Sequence, residues 1–160
     1  MQRIGVLFVC LGNICRSPTA HGIFQQKVQD AGFAELIDVD SAGTAAFHIG
    51  KAPDHRSVSA AGKRGYDLSR LRARQALAED FHRYDYILAM DEHNLSSLRA
   101  IQPPDPRAQL SLFLDYAPDQ PFREVPDPYY GGSRGFEVVL DLIEAAADGL
   151  LSDIQQRLHG

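Results

Sequence analysis

The chain has 160 residues and a formal net charge of −5, with 16 Lys and Arg against 21 Asp and Glu. That length suits one domain over residues 1–160, large enough to bury about 70% of the unfolded chain's surface. The acidic balance argues against a nucleic-acid partner, no apolar run approaches the roughly 20 residues of a membrane span, and the N-terminus lacks a signal-peptide pattern.

The apolar run over residues 4–9 reads as a buried strand. It leads straight into Cys10-Leu11-Gly12-Asn13-Ile14-Cys15-Arg16-Ser17, in which five residues separate Cys10 from Arg16. Ser17-Pro18 reads as a helix start, an N-cap followed by proline at the first helical position, with the helix over about residues 18–31. A loop between a strand end and a helix N-terminus aims backbone N–H groups at one anion, and the helix dipole favours negative charge there. Gly12 suits a tight turn, including one at positive φ, and Asn13 tolerates a left-handed conformation. Arg16 offers a planar fork that grips two phosphate oxygens. Cys10 sits where the N–H groups converge, so the field that binds phosphate also favours its thiolate. Such a thiolate attacks phosphorus while the N–H groups and Arg16 hold the equatorial oxygens.

Further along, residues 36–40 form a strand candidate ending in Ser41-Ala42-Gly43-Thr44, residues 53–65 hold a short helix, and an Arg-rich stretch runs through Gln75. Residues 78–81 open a helical turn, residues 85–90 form the third strand, and residues 91–99 the helix behind it. Pro103, Pro104 and Pro106 break that helix, and residues 110–114 form a fourth strand. Strands alternating with helices predict an α/β three-layer sandwich: a four-stranded parallel sheet with helices on both faces. Ligands gather at the carboxyl ends of such strands, so Cys10, Ser41, Asp91 and the segment after Leu114 should share one rim.

Pro126-Asp127-Pro128-Tyr129-Tyr130 follows, with prolines on both sides restricting the backbone at Asp127. A carboxyl beside a bound phosphate is suited to giving a proton to the departing oxygen, and the two tyrosines to walling a pocket for a flat substrate. Phe136, Val139, Leu140, Ile143, Ala147, Leu150, Leu151, Ile154 and Leu158 recur at helical spacing behind Ser133, a candidate N-cap, and read as scaffold. The two cysteines make no disulfide framework, which points to a reducing cytoplasm, and the six histidines show no metal-ligand spacing.

The loop from Cys10 to Ser17, the distant Asp127-Pro128-Tyr129-Tyr130 and the overall length resemble the low-molecular-weight protein tyrosine phosphatases. The likeness continues through Val39-Asp40-Ser41-Ala42-Gly43-Thr44, Phe47-His48-Ile49-Gly50, Ala73-Arg74-Gln75 and Tyr86-Ile87-Leu88-Ala89-Met90-Asp91. The resemblance implies hydrolysis of phosphotyrosine and aryl phosphates through a cysteinyl-phosphate, with no metal or cofactor. Cys10 would be the nucleophile, Arg16 the phosphate clamp and Asp127 the general acid and then base. Leu11, Gly12, Asn13, Ile14 and Cys15 would line the phosphate loop, and Ser17 would stabilise the Cys10 sulfur as leaving group. Ser41 would help hold Asn13, Leu11, Phe47, Tyr129 and Tyr130 would wall the slot, and Cys15 would form a reversible disulfide with Cys10. Partners implied are phosphotyrosine-containing proteins, with inorganic phosphate or other oxyanions as inhibitors in the loop.

One departure is visible. Leu71 stands two residues before Ala73-Arg74-Gln75, where many members of the family carry a histidine that braces the loop through the asparagine. The expectation is a less rigid loop, supported by Ser41 or some other group. Three rival readings share the chemistry in part. Thiol-dependent arsenate reductases relay oxidation through further cysteines, and this chain has none after Cys15. Protein-arginine phosphatases resemble the loop with threonine at the position of Ile14. A phosphate-binding regulator without turnover needs neither the thiol nor the acid.

Overall fold

The protein is described from a computed structural model over residues 3–128 and 132–159. In chain order the elements are β1 (Ile4–Cys10), α1 (Arg16–Asp30), β2 (Ile37–Gly43), α2 (His55–Lys63), α3 (Asp80–Arg83), β3 (Tyr86–Ala89), α4 (Glu92–Ile101), β4 (Gln109–Leu112), a 3-10 turn (Phe113–Tyr116) and α5 (Gly132–His159). All four strands pair in parallel in the order β2-β1-β3-β4. The sheet and its helices are the α/β sandwich expected from the alternation of strands and helices.

Every residue of β1 is buried, because the strand is central and covered on both faces. Ile4, Val6, Phe8 and Cys10 face a core shared with Ile23 and Phe24 of α1 and Val139, Ile143 and Leu150 of α5. Leu7 and Val9 face the opposite core, with Phe81 of α3 and Leu95 and Leu98 of α4. The apolar stripe of α5 is buried as its spacing predicts: Phe136, Val139, Leu140, Ile143, Ala147, Leu150 and Ile154. From β1 the chain moves first to one neighbour, β2, and later crosses to the other, β3. The carboxyl end of β1 is therefore the switch point of the sheet, where a ligand crevice opens in folds of this kind.

Several boundaries differ from the sequence reading, each for a physical reason. Helix α1 starts at Arg16, two residues before Pro18, and its N-cap position is Cys15 without a side-chain cap bond. Pro18 is tolerated because it lies in the first turn, where N–H groups have no intrahelical partner. Strand β2 runs on through Ser41, Ala42 and Gly43, in register with Phe8, Val9 and Cys10 of β1. Strand β4 ends at Leu112, and Phe113 and Leu114 turn into the 3-10 segment. Asp91 is not in α4 but caps it, its Oδ1 accepting from the N–H of Asn94 at 2.8 Å. Ser133 falls inside α5, which begins at Gly132.

Candidate active site

Cys10 ends β1 and Arg16 begins α1, so residues 11–15 form the whole turn between a parallel strand and a helix N-terminus. The positive φ belongs to Asn13, at 56°, and not to Gly12. Gly12 is close-packed instead: a Cβ there would lie 2.8 Å from His48 Cδ2, so that ring would have to move. Gly43, at the end of β2, supports the turn from beside it, and its own Cβ would lie 2.7 Å from the Leu11 carbonyl oxygen. Two backbone bonds join the same strand end to the turn, Thr44 N–H to Cys10 O at 2.9 Å and Ala45 N–H to Leu11 O at 3.0 Å.

The buried Cys10 sulfur is met by two polar groups. The Asn13 N–H points at Sγ from 3.3 Å, and Ser17 Oγ lies 3.0 Å away. Ser17 Oγ accepts from Asn13 Nδ2 at 2.8 Å, which directs its single proton to either Cys10 Sγ or the Ala42 carbonyl at 3.3 Å. With the sulfur ionised, Ser17 donates to it. The hydroxyl read from the sequence as a helix cap instead lies against the Cys10 sulfur.

Asn13 is held in its left-handed conformation from two sides. Its Nδ2 bonds Ser17, and its Oδ1 accepts the main-chain N–H of Arg74 at 3.0 Å. Ser41, expected to hold Asn13, instead pairs with His21 of α1 at 3.0 Å from Nδ1 to Oγ. Leu71 packs, partly buried, against the apolar core between α1 and α5. The bracing role expected near position 71 thus falls to a backbone N–H three residues later. Arg74 is fixed by its own side chain, which bonds Asp40 at 3.0 Å and Asp80 at 3.1 Å and 3.2 Å. Burial works against its charge, yet the bonds to Asp80 and the charges of Asp40 and Asp80 hold its pKa above the ordinary value.

Arg16 is buried, and Nη1 makes its two bonds among the described residues, to Asp91 Oδ2 at 2.7 Å and to the Val125 carbonyl at 3.0 Å. The Nε–Nη2 edge is thereby left for a ligand, which is the edge that grips two oxygens at once. Asp91 serves twice, capping α4 with one oxygen and aiming Arg16 with the other. Val125 also returns its N–H to the Met90 carbonyl at 2.8 Å, which ties the segment after β4 to the rim. Asp127 lies two residues on, exposed, followed by the buried Pro128.

Around the mouth, Leu11 is 41% exposed and Phe47 69% exposed, large apolar side chains open to solvent beside the turn. The Phe47 ring stands edge-on to His48, 5.8 Å between centroids, and His48 in turn covers Gly12. Ile14 gives its carbonyl to the Asp54 N–H at 2.7 Å, which seats α2 against the loop. Cys15 is buried among Thr19, Ser57, Phe136 and Leu140. Tyr129 and Tyr130 lie outside the described residues.

The rim therefore unites Cys10, Asn13, Arg16 and Ser17 with Asp91, Val125, Gly43 and Arg74. The last four received no role from the sequence. Asp91 was placed on the rim by its position after β3, but the ion pair to Arg16 spans 75 residues and has no local pattern. The contributions of Val125 and Arg74 come from main-chain groups, which side-chain identity does not encode. Among the described residues, no cluster of three or more His, Cys, Asp and Glu is arranged to hold a metal ion.

Comparison with known proteins gives a consistent picture. The family model described as low molecular weight phosphotyrosine protein phosphatase matches residues 5–159. A low molecular weight protein-tyrosine-phosphatase of Streptomyces coelicolor is 41% identical over 158 residues, covering 97% of this chain and 96% of that protein. The crystal structure of YfkJ from Bacillus subtilis superposes with a TM-score of 0.92 at 39% identity, covering 98% of both chains. The crystal structure of a Drosophila arginine phosphatase also superposes, with a TM-score of 0.86 at 31% identity, covering 93% of this chain and 96% of the other.

Proposed function

The chain belongs to the low molecular weight phosphotyrosine protein phosphatase family and is a phosphotyrosine phosphatase; from that premise we propose how its own residues carry the reaction. The Cys10 thiolate attacks phosphorus of a phosphotyrosine side chain. As the S–P bond forms and the P–O bond to the tyrosyl oxygen breaks, the Asp127 carboxyl gives its proton to that oxygen. The Nε–Nη2 edge of Arg16, with the N–H groups of the turn and the positive end of α1, holds the three non-bridging oxygens. In the second step Asp127, now ionised, takes a proton from water as the water oxygen attacks phosphorus. The S–P bond breaks, orthophosphate leaves, and the thiolate returns to the bonds from Ser17 and the Asn13 N–H.

One observation carries this reading: the Cys10 sulfur lies within 3.0 Å of the Ser17 hydroxyl and 3.3 Å of the Asn13 N–H, at the N-terminus of a helix whose first residue is the clamped Arg16. A phosphate-binding regulator has no use for a sulfur so placed. Leu11 and Phe47, with Tyr129 and Tyr130, serve as the walls of the slot for the phosphotyrosine ring, and the apolar Ile14 supports an aromatic over a guanidinium phosphate. Inorganic phosphate and other oxyanions compete for the loop. Cys15 acts as redox partner: once peroxide has converted Cys10 to a sulfenic acid, the Cys15 thiol displaces water and forms a disulfide that thiols reduce. Two buried cysteines, too few for a disulfide framework, support a reducing cytoplasm as the working compartment, with one domain over residues 1–160. No helix among the described residues is long and apolar enough to cross a membrane.

The test is steady-state hydrolysis of phosphotyrosine, phosphoserine and phosphoarginine peptides by wild type and Cys10→Ser. Turnover of phosphotyrosine, abolished in the serine variant, is expected. Preference for phosphoarginine would overturn the substrate, and turnover surviving in Cys10→Ser would overturn the nucleophile.

A further inference from the structure

His21 is a partly buried imidazole that the reaction above does not use. It lies on α1 four residues after Ser17, so the two side chains share one face of the helix, one turn apart. Both reach the end of β2, at consecutive residues: Ser17 Oγ stands 3.3 Å from the Ala42 carbonyl, to which its proton turns when the Cys10 sulfur does not take it, and His21 Nδ1 pairs with Ser41 Oγ at 3.0 Å. With the sulfur ionised, the His21–Ser41 pair is thus the side-chain bond from this face of α1 to the strand that backs the phosphate turn through Gly43, Thr44 and Ala45. Ser17 is also the residue in contact with the Cys10 sulfur. Asp40, the next residue of β2, acts on His21 through its charge and bonds the Arg74 side chain, whose main-chain N–H holds Asn13.

We infer that His21 is a positioning residue for the phosphatase site: through Ser41 it fixes α1 against β2, and so fixes where Ser17 presents its hydroxyl to the Cys10 sulfur. The inference rests on the catalytic reading of Cys10 and Ser17 given above. Without the imidazole, Ser41 Oγ is left buried without its partner, and the helix end carrying Arg16 and Ser17 is tied to β2 by one bond fewer. The step most exposed to that loss is the second, in which the sulfur departs as thiolate. His21 touches neither substrate nor sulfur, so its removal should lower kcat more than it raises KM.

The test is a double-mutant cycle of His21→Ala and Ser41→Ala, with His21→Gln as the conservative variant. It is read in kcat and KM for p-nitrophenyl phosphate, in the affinity for orthophosphate by calorimetry, and in the pH dependence of Cys10 alkylation by iodoacetate. His21→Ala is expected to lose about fivefold in kcat, the scale of one net hydrogen bond, with alkylation moved to higher pH. The double variant should fall no further than Ser41→Ala alone, and His21→Gln, whose amide can still reach Ser41, should recover most of the rate. Losses that simply add, or a His21→Ala enzyme with unchanged kcat and alkylation and only a lower Tm, would overturn the inference. Should His21→Ala fail to fold, His21→Gln and Ser41→Ala still decide it: an unaltered alkylation profile in Ser41→Ala refutes the positioning role. If the wild type hydrolyses nothing, the phosphatase reading fails by itself, whereas orthophosphate affinity and alkylation still report on His21.

Discussion

The main-chain N–H of Arg74 donates to Asn13 Oδ1 at 3.0 Å, across 61 residues of sequence. That bond holds the one non-glycine residue of the phosphate turn that sits at positive φ. The backbone of Arg74 is held twice: its carbonyl accepts the Gly43 N–H at 2.8 Å, and its guanidinium is paired with Asp40 and Asp80. A backbone bridge and an ion pair set back from the turn therefore share in maintaining its strained conformation.

Asp80 is the more buried of the two carboxylates, with its side chain 3% exposed, and it also accepts the Leu77 N–H at 2.8 Å. Replacing it with alanine leaves Arg74 half-paired, and the cost in unfolding free energy should be about 3 kcal/mol. Urea denaturation of Asp80→Ala measures this. A midpoint equal to wild type would show that the pair does not anchor the segment.

Gly43 and Gly12 should respond differently to alanine. At Gly43 the new Cβ would meet three backbone atoms of the turn, Leu11 O at 2.7 Å and Asn13 N and Gly12 C at 3.1 Å each, so the turn itself must move. At Gly12 it meets the ring of His48, a side chain that can swing away. Gly43→Ala should lose on the order of 10²-fold in kcat/KM for an aryl phosphate, a loss of the size that follows ångström-scale misplacement of reacting groups, and Gly12→Ala should lose less. Steady-state kinetics on both variants makes the comparison, and equal losses would contradict it.

Stability should carry a pH signature from His21. Burial lowers its pKa below the ordinary 6.5, with the charge of Asp40 partly opposing. Arg74, bonded to that same Asp40, offsets part of the carboxylate's pull. In the unfolded chain the imidazole takes up its proton at a higher pH than in the fold. Between the two values the unfolded state binds more protons, so His21 favours unfolding increasingly as pH falls below 6.5, and costs nothing well above it. Urea midpoints of wild type and His21→Gln compared at pH 7.5 and pH 5.5 isolate the effect. The wild type should lose more stability on acidification; equal losses would mean that His21 titrates alike in both states.

The acid role of Asp127 predicts a dependence on the leaving group. Asp127→Ala should slow phenyl phosphates with poor leaving groups far more than activated ones, because only the former need a proton as the P–O bond breaks. Wild-type activity should peak at acidic pH in a bell, requiring an ionised Cys10 and a protonated Asp127. A leaving-group series and a pH profile test both statements. Equal slowing across the series would remove Asp127 from that role.

The sequence displayed the frame of the molecule and the poles of the site, but few of the supports between them. The apolar run of β1 and the stripe of α5 were legible because burial on both faces, or along one helical face, imposes a period on residue type. The cysteine, arginine and serine of the turn were legible because phosphate chemistry needs those groups at short spacing. Helix α1 starts at Arg16, earlier than Ser17-Pro18 suggests, and the Ser17 hydroxyl lies against the Cys10 sulfur instead of capping the helix. The distant partners of Arg16 and Asn13 are an aspartate 75 residues away, a backbone carbonyl and a backbone N–H, and neither long-range pairing nor a main-chain group leaves a mark on local composition. The pairing of His21 with Ser41 was hidden for the same reason: it depends on how α1 lies across β2.

The most direct test of the mechanism is to stop the reaction within its first turnover and locate the phosphoryl group. Wild type mixed with p-nitrophenyl phosphate, quenched in denaturant and digested, should yield the Cys10 peptide heavier by one phosphoryl group, and the Cys10→Ser protein should yield none. Turnover without any phosphorylated cysteine, or with the phosphoryl group on another residue, would contradict a cysteinyl-phosphate at Cys10.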